Sequence, residues 1–266
     1  MKPFLGLGRS FRSKGILVGA CVLMAFGGVT TRADNYEIQV YDSDTVPAGE
    51  TMLELHSNYT IDGERNWING VYPSHHAWHN TLEITHGFTP WFETGFYVFT
   101  SVQPGAGLEW VGDHIRPRVR VPEEWKWPVG LSLSTEAGYI RRKFSEDDWG
   151  WELRPIIDKD FGRWHVALNP AFEKSLHGLN SSQGFEFAPS AKVSFKMSKV
   201  VSIGVEYYSS LGGVTHFAKP EDQWHQIMPV LDLNLHPKWE CNVGVGFGLT
   251  RGTDDLMVKL IVGRRF

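Results

Sequence analysis

Four basic side chains fall at every second position of one short stretch: His114, Arg116, Arg118 and Arg120, separated by Ile115, Pro117 and Val119. A spacing of two puts all four on one face of an extended strand. Such a face cannot pack into a dry core; it must be wet or paired with opposite charge. Carboxylates recur at equivalent positions of other alternating segments: Glu54, Glu83, Glu136, Glu152, Glu173 and Glu206, accompanied by Arg154 and Lys192. Arg116, Arg118 and Arg120 are expected to face Glu136, Glu152 and Glu173 across an interior. Two chemistries fit this pattern. One is a charged constriction that selects passing solutes. The other is internal salt bridging that fills the lumen. The predicted lumen set is Arg116, Arg118, Arg120, Glu136, Glu152, Arg154, Glu173, Lys192 and Glu206.

Other chemistry-bearing groups yield less. His75, His76 and His79 could hold a metal, but adjacent side chains on a strand point oppositely, so a solvated loop is expected and no metal site is assigned. His177, Asn180, Ser181 and Ser182 lie together in a predicted loop, without the spacing of a wall-mounted Ser/His pair. No phosphate-binding loop, dinucleotide fingerprint or zinc-protease helix motif occurs. No catalytic residue and no cofactor is therefore predicted. A net charge of -4 gives no reason to expect nucleic acid. The two cysteines, Cys21 and Cys241, offer no disulfide framework.

The elements that must position these groups are strands. Lys2, Arg9, Arg12 and Lys14 precede an uncharged apolar run, Gly15 to Val29, and Thr31-Arg32-Ala33 supplies small residues at a cleavage site. Residues 1–33 thus read as a signal peptide, and 34–50 as a periplasmic N-terminal segment. A lipid anchor at Cys21 is disfavoured because the apolar run continues past it. From residue 51 onward, alternating segments recur with turn signals between them, about twelve in all. Each is roughly 9–11 residues long, enough to cross a bilayer at a tilt. Connections alternate between short turns and longer polar loops. Trp91, Trp110, Trp125, Trp127, Trp149, Trp164, Trp224 and Trp239 stand at strand ends, where interface girdles belong. Mean hydropathy is only -0.24, as expected when each strand has one polar face. The prediction is an all-β chain: a single transmembrane antiparallel up-and-down β-barrel spanning 51–266. Pro117, Pro155, Pro170, Pro189 and Pro229 fall inside these strands, where each removes a ladder donor.

The terminal run Met257-Val258-Lys259-Leu260-Ile261-Val262-Gly263-Arg264-Arg265-Phe266 resembles the closing-strand signal of Gram-negative outer-membrane proteins. That resemblance implies recognition by the barrel-assembly machinery through Phe266, and a bacterial outer-membrane location amid lipid and lipopolysaccharide. The hairpin Leu82 to Gly95 resembles the strand–turn–strand unit of the phenol-degradation meta-pathway (MetA-type) outer-membrane family. This resemblance implies passage or binding of small solutes, hydrophobic ones included. The expected function is therefore solute transfer through a charged lumen. The alternatives are a closed structural or sensory barrel, an outer-membrane lipid-modifying enzyme and, furthest off, a secreted soluble sandwich.

Overall fold

A computed structural model describes residues 35–266. The predicted signal peptide lies outside the described residues. The strands are β1 (Thr51–Asp62), β2 (Trp78–Thr89), β3 (Phe92–Gln103), β4 (Gly107–Arg120), β5 (Gly130–Ile140), β6 (Asp147–Phe161), β7 (Trp164–Gly178), β8 (Glu186–Lys196), β9 (Val201–Ser210), β10 (Gly212–Gly213), β11 (His216–Phe217), β12 (Trp224–Leu233), β13 (Trp239–Gly248) and β14 (Leu256–Arg265). Twelve of these are long. The two-residue strands β10 and β11 form a small hairpin in the loop after β9, and β10 bonds to the edge of β8.

Each long strand pairs antiparallel with its sequence neighbour, and β1 pairs with β14, so the sheet closes on itself. Closure leaves no long strand with an unpaired edge, the condition for a sheet to stand in hydrocarbon. Alternation decides what faces where. Leu53, Leu55, Leu82, Ile84, Val243, Val245 and Leu260 are exposed on the outside. Glu54, His56, Thr81, Glu83, Lys259 and Ile261 are buried on the inside. Seven of the eight predicted girdle tryptophans lie exposed on the outer surface. Trp224 is the exception: it points inward and packs against Met228 and Met257. It shares an inward parity with Gln226 and Met228, so its place at a strand end misleads. A closed twelve-strand barrel with an apolar outer band and aromatic rims is the form of a bacterial outer-membrane protein.

Several strands run longer than 9–11 residues. β4 continues back to Gly107 because a bulge sits at Val111: Phe99 pairs with Gly112, and Thr100 with Trp110. The extra residue reverses parity, which is why alternation read from His114 backward fails there.

The strand prolines all sit on the outward face, and four of the five, Pro117, Pro155, Pro170 and Pro229, lie at gaps in the ladder. Pairing of β4 with β5 lapses between Ile115↔Ala137 and Arg118↔Ser134, around Pro117. Pairing of β12 with β13 lapses between Ile227↔Phe247 and Val230↔Gly244, around Pro229. Pairing of β6 with β7 lapses between Leu153↔Phe172 and Ile157↔Leu168, which sets Pro155 opposite Pro170. Pro170 in turn partners Pro189 on β8. Three prolines therefore stand in a row across three adjacent strands, and register is kept on both sides of each gap.

Candidate functional site

Residues 35–46 do not lie beneath the barrel. They run inside it, from the long-loop end to the short-turn end. At the loop end, the Asn58 side chain donates to the carbonyls of Asn35 (3.0 Å) and Tyr36 (3.3 Å), and Thr81 donates to Tyr36 (2.7 Å). Midway, Asn169 grips the backbone of Tyr41 on both sides: its carbonyl accepts the Tyr41 N–H at 2.7 Å, and its amide donates to the Tyr41 carbonyl at 2.9 Å. At the turn end, the Val46 N–H donates to Glu93 at 2.6 Å. Gly49, at φ 81°, then turns the chain toward β1. Gly87 lets the segment pass close by: a Cβ there would lie 2.1 Å from the Val46 carbonyl oxygen.

Side chains of this inner segment sort by direction. Ile38 and Val40 pack with Ala167, Tyr208, Trp224, Met228, Val230 and Met257. Tyr36 packs with Tyr97, Phe99, Val111 and Phe144. The ring of Tyr41 lies under three guanidinium groups, with Arg116 at 4.7 Å, Arg154 at 5.2 Å and Arg118 at 5.6 Å. Buried cations over an aromatic face are attracted by its quadrupole.

The arginine ladder has different partners from those expected. Arg116 binds Glu83 (2.6 Å) and approaches Glu93 (3.5 Å), while Arg118 binds Glu93 (2.6 Å). Arg118 also donates to the carbonyls of Asp42 (3.1 Å) and Asp44 (2.6 Å) in the inner segment. Arg120 reaches Asp44 (3.1 Å) and Glu123 (3.3 Å) near the rim. Glu136 pairs with His114 (2.5 Å) and Glu152 with Arg154 (2.7 Å), so neither bonds the ladder. Across the lumen a second network joins Lys192 to Glu206 (3.4 Å) and Asp232 (2.9 Å), and Lys259 to Glu206. Lys259 also donates to the Ile38 carbonyl at 3.0 Å. Glu173 lines the cavity at the loop end, directly opposite Glu152 on β6.

The lumen set therefore divides in two. Arg116, Arg118, Arg120, Lys192 and Glu206 hold the inner segment or brace the wall behind it. Glu136, Glu152, Arg154 and Glu173 line an open cavity of about 560 Å³ above it. Eleven of the side chains lining that cavity are Asp or Glu and three are Lys or Arg. Tyr36, Phe99, Tyr72 and Phe144 give it one aromatic wall. Asn35, Tyr36 and Glu37 of the inner segment help close its floor.

Sequence reasoning missed Glu93, Asn169, Lys259 and His165 as contacts of the inner segment. His165 bridges Asp42 (2.8 Å) and Asp160 (2.9 Å). A signal for them existed. All four stand at inward positions of their strands, and residues 36–42 themselves alternate, with Tyr36, Ile38 and Val40 at every second place.

No protein-family model and no curated protein matches this sequence. Among solved structures, the chain is similar to an outer membrane channel from Pseudomonas putida F1, at 14% identity and a TM-score of 0.56, over 86% of this chain and 100% of that one. It is also similar to the NanC porin, at 8% identity and a TM-score of 0.52, over 79% of this chain and 97% of that one. At these identities the likeness is one of fold: a small closed antiparallel β-barrel.

Proposed function

We propose that the protein is an outer-membrane channel for a small solute, gated by residues 35–46. The solute class favoured is a compound with an apolar or aromatic body and a cationic or hydrogen-donating head. One observation carries this reading: a cavity of about 560 Å³ at the loop end, rich in carboxylates, with an aromatic wall and a floor made partly by the inner segment. That volume lies within the ~300–1,000 Å³ range of small-molecule sites. Carboxylate-lined mouths raise the local concentration of cations. The aromatic wall accords with the hydrophobic solutes implied by the hairpin at Leu82 to Gly95. With the inner segment docked, the lower lumen is filled by it and by the two salt-bridge networks.

Planar-bilayer recording tests both parts of the reading. The wild-type barrel is expected to conduct weakly. Removal of residues 35–46 is expected to raise conductance in a protein that still shows heat-modifiable gel mobility. Reversal potentials of the opened channel should favour cations, and Glu64→Gln with Asp254→Asn should lessen that preference. Equal conductance with and without the segment would remove the gate from the proposal.

A further inference from the structure

Glu54 on β1 stands directly opposite Glu83 on β2. Both face the lumen and both are buried, at 7% and 1% exposure. Like charges directly across a strand pair repel, and burial sharpens the repulsion. His56 is two residues beyond Glu54 on the same inward face and is fully buried. One ligand atom from each of the three side chains lies within 4.8 Å of the other two.

The hydrogen bonding of this cluster is lopsided. Glu83 Oε1 accepts from Arg116 (2.6 Å) and from the Thr85 hydroxyl (2.6 Å). Glu83 Oε2 accepts no hydrogen bond, although His56 Nε2 is 3.3 Å away. Glu54 Oε1 and both ring nitrogens of His56 have no hydrogen-bond partner either. Four buried polar atoms on three converging side chains thus make no hydrogen bond, two of them meeting only as the His56–Glu83 ion pair, where a buried polar group is ordinarily bonded. A single proton shared by two of them would leave the others unserved. A cation takes one lone pair from each of the three side chains at once and leaves over only the second ring nitrogen of His56.

We propose that Glu54, His56 and Glu83 bind one divalent transition-metal cation of the zinc class. One imidazole and two carboxylates are a nitrogen–oxygen donor set suited to that class, and three protein ligands leave a fourth tetrahedral position open. Tetrahedral ligands at ~2.0 Å from an ion stand about 3.3 Å apart, so small side-chain torsions bring these three inward. Glu83 then joins the metal through Oε2 and Arg116 through Oε1, which fixes the carboxylate's orientation. The ion would tie β1 to β2 beside the β1–β14 seam. The burial of the cluster means that the ion is taken up while the barrel folds.

The test is refolding of the full chain from urea into detergent micelles with zinc, and in parallel with a chelator. Folded protein is identified by heat-modifiable mobility, and its metal is measured by mass spectrometry after gel filtration. Expected are one zinc per folded chain, tetrahedral visible bands when cobalt replaces zinc, and a higher melting temperature than the chelator-refolded barrel. His56→Gln and Glu54→Gln should each weaken retention by about tenfold or more, while His75→Gln with His76→Gln leaves it unchanged. A folded wild-type barrel without stoichiometric metal overturns the proposal even if the variants fail to fold. Equal zinc in the His56→Gln barrel also overturns it. Neither result bears on conductance, so the site and the channel reading fail separately.

Discussion

Arg116 is 2% exposed and holds Glu83 and approaches Glu93, both equally buried. Arg120 is on the same strand face, but its partner Asp44 is largely in solvent. The same residue type therefore carries different weight. Breaking a buried pair strands an uncompensated charge and costs about 3–5 kcal/mol. Breaking an exposed pair costs under about 1 kcal/mol. Arg116→Met is accordingly expected to lower the urea midpoint of the refolded barrel markedly, and Arg120→Gln to leave it nearly unchanged. Equal midpoints for the two variants would mean that the buried network is dispensable.

At the scale of the element, the inner segment is an irregular chain that belongs to no sheet. Its backbone groups are met one at a time by side chains of the wall: Asn58, Thr81, Asn169, Lys259, Arg118 and Glu93. Asn169 alone serves both backbone groups of Tyr41. Asn169→Ala leaves that buried N–H and carbonyl unpaired, a cost of about 1–3 kcal/mol. Its expected result is more frequent opening in single-channel records with barrel stability nearly unchanged, since the barrel's own ladders do not involve the Asn169 side chain. The proline row on β6, β7 and β8 makes an opposite kind of prediction. Pro155→Ala with Pro170→Ala restores two donors to facing positions, so amide exchange around 153–157 should slow. Unchanged exchange there would show that the gap has a cause other than the missing N–H groups.

For the whole molecule, the outside face is set by lipid and the inside by charge. Leu55, near the middle of β1, is exposed on the outer surface, while its neighbours Glu54 and His56 are buried within. Leu55→Arg should destabilise the barrel by ~2–4 kcal/mol in lipid vesicles, the cost of a cation near the bilayer midplane. The penalty should shrink in detergent, whose thinner apolar layer lets the guanidinium reach water.

The parity of nearly every strand was legible in the sequence, because a period of two is a local property that needs no partner. The same period places Glu54 and Lys259 on inward faces, whereas closure rests on the pairing of β1 with β14. Parity fails where the chain inserts a residue, as at Val111, and strand-end position misassigned Trp224. What local spacing could not supply was pairing across the lumen. Arg116 meets Glu93 from the adjacent strand β3 and Glu83 from β2, one strand further on, while Glu136 and Glu152 find His114 and Arg154, since reach is fixed by strand stagger and register around the closed wall. The same holds for residues 35–46. Their alternation is that of any short strand, and only the tertiary structure, with a lumen wide enough to admit a chain and polar side chains placed to meet its backbone, decides that this segment fills the barrel.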